Sequence, residues 1–276
     1  MHFLITIIIP CYNIGALLLE TIDSVRKVAD PLKHEVLIIN DGSTDSETLK
    51  VLDRLRTSYT VIDQPNQGAS AARNTGITAA AGKYLLFLDA DNLLTDVYLT
   101  EGITILEQQQ DVDVVYGVSE TFGYGKPSFL PTNPFNLQIL MLYNYIDTCC
   151  LVRKSAFEDT GMFDTKMRTG LEDWEMWLRM AFYSKKFYYL EGKVIQKYRM
   201  RPDSLNHSIN KTKEDAILDY LVEKYPDKLD YTAVSNYYYQ KFETAPIGWT
   251  MKLLIRKYSP VLYRYLLRKG KIRKQL

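Results

Sequence analysis

Cysteines, long apolar runs and a surplus of one charge are all scarce in this chain, and each scarcity excludes something. Only three cysteines occur in 276 residues, Cys11, Cys149 and Cys150. Two are adjacent, where a bridge would be strained, so no disulfide framework is expected and a reducing cytosol suits the composition. The apolar run at the amino terminus, Phe3 to Ile9, lacks a basic leader and a small-residue cleavage site. It is too short to be a signal peptide or a membrane span, and no later stretch approaches transmembrane length. The net charge is only +1. That balance hides an asymmetry: nine of the 34 Lys and Arg, and none of the 33 Asp and Glu, lie in residues 249–276. An acidic body with a basic tail argues against nucleic acid as a partner and for an anionic surface reached by the tail. Internal repeats and low-complexity segments are absent. Glycine-rich phosphate loops are missing as well. After the first apolar run the chain reads Pro10-Cys11-Tyr12-Asn13-Ile14-Gly15, neither a dinucleotide fingerprint nor a P-loop. Cys11 also stands where a dehalogenase-type phosphatase would place its nucleophilic Asp.

What is present is an alternation of short apolar runs and amphipathic segments. Strands are predicted at Phe3–Ile9 (ended by Pro10), Glu35–Asn40, Tyr59–Asp63 and the run from Lys83 to Asp89. Helices are predicted at Gly15–Lys27, Ser46–Leu55 and Ser70–Ala81, the last ended by Gly82. The pattern indicates βαβ units and an α/β fold with a mostly parallel, Rossmann-like sheet flanked by helices. Ligands of such sheets bind beyond the carboxyl ends of the strands. Pro10 to Asn13, Asn40-Asp41-Gly42 and Asp89-Ala90-Asp91 all fall there and should converge on one cleft. After Val118 the alternation weakens. Pro127–Pro134 reads as a loop over the cleft, Thr148–Val152 as a strand, and Leu171–Ser184 and Thr212–Tyr225 as helices. The expected organisation is one domain over 1–210, in two halves at 1–118 and 119–210. A helical carboxyl-terminal appendage over 211–276 follows.

The chemistry is concentrated at Asp89 and Asp91. Two carboxylates at the end of a buried strand are costly unless a cation sits between them, and hard divalent cations take oxygen ligands together with substrate phosphates. A second acidic pair, Glu172-Asp173, precedes an apolar run. It reads either as helix-start acids favoured by the first turn or as part of a site. Trp174 and Trp177 read as core, with Trp174 a possible platform for an acceptor.

Together, Ile7-Ile8-Ile9-Pro10-Cys11-Tyr12-Asn13, Asn40-Asp41-Gly42-Ser43-Thr44-Asp45, Asn66-Gln67-Gly68, Ala72-Arg73-Asn74-Thr75-Gly76, Phe87-Leu88-Asp89-Ala90-Asp91, Gly170-Leu171-Glu172-Asp173-Trp174-Glu175 and Tyr198-Arg199 resemble the family 2 glycosyltransferases of the GT-A fold. The likeness spans about residues 4 to 205 and keeps the family's order of blocks. It implies an inverting, metal-dependent hexosyltransferase using a nucleoside diphosphate sugar, with UDP expected. The acceptor would be a glycan or lipid-linked hydroxyl in surface polysaccharide synthesis, at the cytoplasmic face of a membrane. By resemblance, Asp41 would accept a hydrogen bond from the base and Tyr12 would pack on it. Arg73 would lie near the nucleotide or its phosphates, Asp91 would be the principal ligand of Mg²⁺ or Mn²⁺, and Asp89 would contact the ribose or the metal. Pro10, Asn13, Ala90, Glu172, Arg199 and Arg201 complete the implied nucleotide-sugar set, and Asp173 is the implied base. Glu172, a like charge beside it, would raise its basicity.

One position departs from the family. Many relatives carry a His where this chain has Arg201, so a third protein ligand to the metal is not indicated, and an arginine there suits a diphosphate instead. Nearby His207 is out of register and reads as a surface residue. Two other classes fit parts of the pattern. A sugar-nucleotide nucleotidyltransferase would want a basic Gly-rich loop after the first strand, and a non-catalytic glycan-binding subunit would need no base. The tail from Trp249 interleaves Lys and Arg with Leu, Ile and Tyr and breaks at Ser259-Pro260. It reads as two short amphipathic helices, either packed on the body or lying on an anionic membrane.

Overall fold

The computed structural model describes residues 4–29, 33–168, 170–201 and 211–229. His207 and the tail 249–276 lie outside them. The chain divides into two compact units, Met1–Lys224 and Tyr225–Leu276. Of the second, residues 225–229 are described and form a turn.

The first unit is built on a nine-stranded sheet. Its amino-terminal half alternates strand and helix: β1 (Ile5–Cys11), α1 (Leu17–Ala29), β2 (His34–Asp41), α2 (Ser46–Leu55), β3 (Thr60–Gln64), α3 (Ala69–Ala79) and β4 (Tyr84–Phe87). There follow β5 (Leu93–Leu94), α4 (Asp96–Gln108), β6 (Val114–Gly123), β7 (Ser128–Phe129), α5 (Leu137–Leu140), β8 (Leu151–Arg153), α6 (Lys154–Thr160), α7 (Glu172–Phe182), β9 (Phe187–Met200) and α8 (Lys211–Lys224). The strand order is β3-β2-β1-β4-β8-β6-β9-β5, with β7 paired to β6. The long ladders, β1 with β2 and β4, β2 with β3, and β6 with β9, are parallel, whereas the four antiparallel ladders each span two or three residues.

Strand β1 is buried on both faces, as a central parallel strand must be when helices cover both sides. Ile7 and Ile9 join Leu18, Ile22 and Val25 of α1 in one cluster. Ile8 points the other way, against Gly76 of α3, where any Cβ would collide with its side chain. Pro10 does not end this strand, contrary to expectation: β1 runs on to Cys11, paired with Asn40. The last β1–β4 pair is Ile8 with Phe87. Pro10 therefore sits where no β4 acceptor awaits its missing N–H. Gly82 also differs from its expected role. The α3 helix closes at Ala80, and Gly82 instead lies against β1, where a Cβ would stand 2.5 Å from the Thr6 nitrogen.

Two boundaries move. The compact unit continues through Lys224, so α8, expected in the appendage, belongs to it. Tyr220 Oη and Lys224 Nζ both donate to Asp164 Oδ2 at 2.5 Å, and Lys224 also reaches Glu175 at 2.9 Å. The expected divide at 118/119 falls inside β6, so the two halves share one strand. The Pro127–Pro134 stretch carries β7 and then turns into the cleft wall through Leu130, Pro131 and Thr132.

Candidate functional site

A cleft of ≈ 790 Å³ opens at the carboxyl ends of β1, β2 and β4, a size suited to a small-molecule ligand. Ten of the twelve expected residues line it: Pro10, Tyr12, Asp41, Arg73, Asp89, Ala90, Asp91, Glu172, Asp173 and Arg201. Asn13 and Arg199 do not. Asn13 adopts a left-handed backbone (φ 48°), and its Oδ1 accepts from the Thr44 and Asp45 nitrogens at 2.8 and 2.9 Å. It ties the loop after β1 to the loop that starts α2, where Asp45 caps the helix by accepting from the Thr48 nitrogen. Arg199 lies over the Phe122 ring, donates through Nε to the Asp91 carbonyl at 2.8 Å and pairs with Glu20 at 2.7 Å. Both act on the cleft by holding its backbone.

On the β2 side, Asp41 is buried. Its Oδ1 accepts from Gln64 Nε2 and the Gln67 nitrogen, and its Oδ2 from the Gly68 nitrogen, at 2.7, 2.9 and 2.8 Å. A carboxylate offers about four lone-pair sites, so this one orders the loop before α3 and retains capacity for one further donor. Tyr12 is 51% exposed and lines the rim of the cleft.

At the centre stands Arg73 on α3, only 4% exposed. Its Nη1 donates to Glu172 Oε1 at 2.5 Å and its Nη2 to Asp89 Oδ1 at 2.9 Å, while the guanidinium lies 5.4 Å from the Phe163 ring centroid. Burial works against its charge, yet Glu172 and Asp89 hold its pKa above the ordinary arginine value. The neighbouring Asn74 clasps Phe163 through both backbone groups, at 2.8 Å each. The Arg-Asn pair thus fastens the segment leading to Glu172-Asp173 onto the amino-terminal half of the unit.

Glu172 and Asp173 open α7. Leu171 before them has φ 60° and supplies no side-chain cap, whereas Asp173 Oδ1 accepts from the Trp174 nitrogen at 2.8 Å. Both acids lie in the first turn, as a helix start favours, and both also line the cleft. A positive φ at a non-glycine residue is uncommon and costs of order 1–3 kcal/mol. Asp173 Oδ2 accepts from Thr148 Oγ1 at 3.1 Å. Its pKa rises to about 7, first through burial, then through the charges of Glu172 and Asp147, against which Arg73 pulls down. Burial thus outweighs the Glu172 contribution expected from the sequence. Trp174 belongs to the core, its indole donating to the Leu140 carbonyl at 2.5 Å.

Asp91 is raised to about 6 by burial and then by Asp89, with Arg201 and Arg199 opposing. Arg201 Nη1 lies 3.3 Å from Asp91 Oδ2. Among the described residues no three His, Cys, Asp or Glu side chains converge as a ready-made metal cage. The donor set nevertheless fits Mg²⁺ or Mn²⁺ of the kind that draws its remaining ligands from substrate phosphates and water. Two hard carboxylates stand together, and Asp89 adds to the upward shift that burial gives Asp91, a repulsion that a cation would relieve.

Asp147 and Thr148 were not anticipated. Asp147 lines the cleft and rises to about 6, through burial and then the charge of Asp89. An acid just ahead of an apolar strand was the only local signal. It marks the site solely because β8 runs antiparallel to β4, with Leu151 opposite Leu86, which brings the residues before β8 to the edge where β4 ends.

The family model for glycosyl transferase family 2 matches residues 6–163, more than half of the chain. GlyA, a glycosyltransferase of Streptococcus pneumoniae serotype 4, is 29% identical over 241 residues, covering 80% of this chain and 34% of that protein. An uncharacterized glycosyltransferase of Rickettsia conorii is 31% identical over 196 residues, 65% of this chain and 31% of its own. The chain therefore spans about a third of the length of these relatives. Among solved structures, S. aureus TarS 1–349 in complex with UDP-GlcNAc superposes with a TM-score of 0.66 at 17% identity, over 87% of this chain and 73% of that one. That likeness shows a shared fold. On the family match, the chain belongs to glycosyl transferase family 2.

Proposed function

We propose that the protein is an inverting glycosyltransferase that moves a sugar from a nucleoside diphosphate sugar, UDP-linked, to a hydroxyl of a glycan or lipid-linked acceptor. The observation that carries this reading is the placement of Asp173. A carboxylate with a pKa of about 7 shares one cleft with Asp89 and Asp91, linked to them through Arg73 and Glu172. A base titrating near neutrality is suited to general-base work.

In the proposed reaction Asp173 takes the proton of the acceptor hydroxyl as its oxygen bonds to the anomeric carbon. The bond from that carbon to the diphosphate oxygen breaks, and the diphosphate departs with the electron pair. One base and direct displacement imply inversion. In this reading Arg201 meets diphosphate oxygens, Tyr12 packs on the base, and the remaining capacity of Asp41 accepts one base N–H. A divalent cation held by Asp91 and Asp89 would neutralise charge on the leaving diphosphate. Solved TarS complexes with UDP and UDP-GlcNAc support the choice of donor class.

The acceptor is read as lipid-linked because the basic segment 249–276 suits an anionic leaflet at the cytoplasmic face. No helix among the described residues is long and apolar enough to cross a membrane. A thermal-shift panel of nucleotide sugars with Mn²⁺ tests the donor, since a ligand at a hundred times its Kd adds about 2.7 kcal/mol. Anomeric configuration of the product by NMR tests inversion. No shift with any UDP compound, or a retained configuration, would overturn the respective part.

A further inference from the structure

Asp147 belongs to none of the motifs, yet the fold holds its carboxylate with unusual care. Its Oδ1 accepts from Gln196 Nε2 at 2.6 Å and from the Cys149 nitrogen at 2.8 Å. Gln196 on β9 is 0% exposed and also reaches Ser119 Oγ on β6 at 3.2 Å, with Ser119 itself buried. Gln196 Oε1 has no hydrogen-bond partner among the described residues. A buried amide with one unpaired end costs stability that an apolar residue would not. What this arrangement achieves is a fixed orientation for Asp147. The loop itself is pinned as well: Trp177 donates to the Ile146 carbonyl at 3.1 Å, and Cys150 Sγ to the Asp147 carbonyl at 2.9 Å. The other carboxylate oxygen, Oδ2, receives no hydrogen bond from the described residues, and the residue lines the cleft.

The location indicates what that oxygen meets. Asp147 is near enough to interact electrostatically with Asp89, on the diphosphate side, and with Asp173, the proposed base. Between a leaving diphosphate and a base lies the sugar being transferred. We propose that Asp147 determines donor specificity by accepting a hydrogen bond from a hydroxyl or acetamido N–H of that sugar. The same wall selects neutral hexoses or N-acetylhexosamines over uronic acids. This rests on the donor reading above. An ionised carboxylate accepts and does not donate, so it rewards O–H or N–H and repels a second carboxylate. A uronate would face Asp89, Asp147, Glu172 and Asp173, with Arg73 already engaged by Asp89 and Glu172, Arg201 paired with Asp91, and Arg168 an exposed lining residue. A site built to bond a hydroxyl discriminates strongly against an analogue that lacks it.

The test measures Kd by calorimetry with Mn²⁺ for UDP, UDP-glucose, UDP-galactose, UDP-N-acetylglucosamine, UDP-glucuronate and the monodeoxy versions of the neutral sugar that binds tightest. In wild type, one deoxy position should weaken binding at least tenfold, and the glucuronate should bind at least tenfold more weakly than its neutral parent. Asp147→Asn keeps the Oδ1 acceptor for Gln196 and Cys149. It should bind UDP within about twofold of wild type, lose at least tenfold in the gain from UDP to UDP-sugar, and no longer distinguish that deoxy sugar. The proposal is overturned if wild type treats all deoxy sugars alike, if it takes glucuronate as well as glucose, or if Asp147→Asn keeps the full gain from the sugar. The wild-type arms decide the matter should the variant fold poorly. A wild-type protein that binds neither UDP nor any UDP-sugar would instead overturn the donor reading itself.

Discussion

Arg73 and Glu172, 99 residues apart in the chain, meet at 2.5 Å, and the same guanidinium holds Asp89 at 2.9 Å. One buried cation therefore couples the carboxylate at the end of β4 to the acidic pair that opens α7. Arginine suits this because its fork reaches two acceptors in different directions and it cannot lose its charge. Replacing it with a neutral side chain leaves two partly buried carboxylates facing each other. Arg73→Met is expected to destabilise the protein by about 3 kcal/mol, the low end for breaking a buried pair, since Asp89 keeps some solvent. Arg73→Lys should recover part of that. A urea melt checks it; a loss below about 1 kcal/mol would show that the bridge is not a structural tie.

The proposed base gives a kinetic expectation. Asp173→Asn should leave UDP binding intact and slow transfer by roughly 10²–10⁴-fold. In wild type, kcat/KM should rise with pH and level off above about 7, where Asp173 loses its proton. A rate that stays near wild type in the variant would move the base elsewhere, Glu172 first.

The same shift has a consequence for stability with a definite sign. Folding raises the pKa of Asp173 from 3.8 to about 7, so the native state binds the proton more tightly than the unfolded chain. Its contribution is complete below about pH 4 and is lost as pH climbs through about 7. Asp173→Asn carries no such liability. It should melt near wild type at pH 4 and at a higher temperature than wild type at pH 8. Equal melting temperatures at pH 8 would mean that the native carboxylate ionises without penalty. Asp91 and Asp147, raised to about 6, act in the same direction. Asp164, held down to about 2 by Lys224 and Tyr220 against the opposing effect of burial, acts oppositely, its contribution falling away in acid.

Asp91→Ala is expected to abolish the Mn²⁺-dependent part of UDP binding while leaving the circular dichroism spectrum unchanged. The residue lies beyond the end of β4 and partners Arg201, not the core. An unchanged Kd for UDP with Mn²⁺ would remove Asp91 from the site.

Removal of residues 249–276 should release the protein from anionic liposomes and lower transfer to a lipid-linked acceptor. Each Lys or Arg near such a leaflet contributes about 1 kcal/mol, screened by salt. Donor binding should be little changed, because the donor-site motifs end near Arg201. Liposome binding indifferent to salt and to truncation would refute a membrane role for the tail.

The amino-terminal half was legible in the sequence because its signals are local. The apolar runs of β1, β2 and β4 are continuous, as strands buried on both faces must be. Each ends in polar residues that a parallel sheet delivers to the same edge, so Tyr12, Asp41, Asp89 and Asp91 could be gathered into one cleft without coordinates. The limits were local too: a proline or glycine reads as punctuation until its neighbours are known. Pro10 continues β1 because β4 has already stopped beside it, and Gly82 is small because Thr6 lies against it.

What the amino-acid sequence by itself determined is therefore the βαβ order, the family blocks and the identity of most acidic groups at the strand ends. Only the tertiary structure decided how those groups are used. Arg73, a cleft residue, also bridges the two halves because Glu172 and Asp89 are near it in space and not in the chain. Asp147 entered the site because β8 runs antiparallel to β4, a choice that no residue near Asp147 encodes. Asp173 acquired a pKa of about 7 chiefly from burial. Burial depends on what packs around a group, whereas sequence patterning reports what the chain does along itself, and for that reason Asp173 could be singled out from its motif but not its shifted pKa.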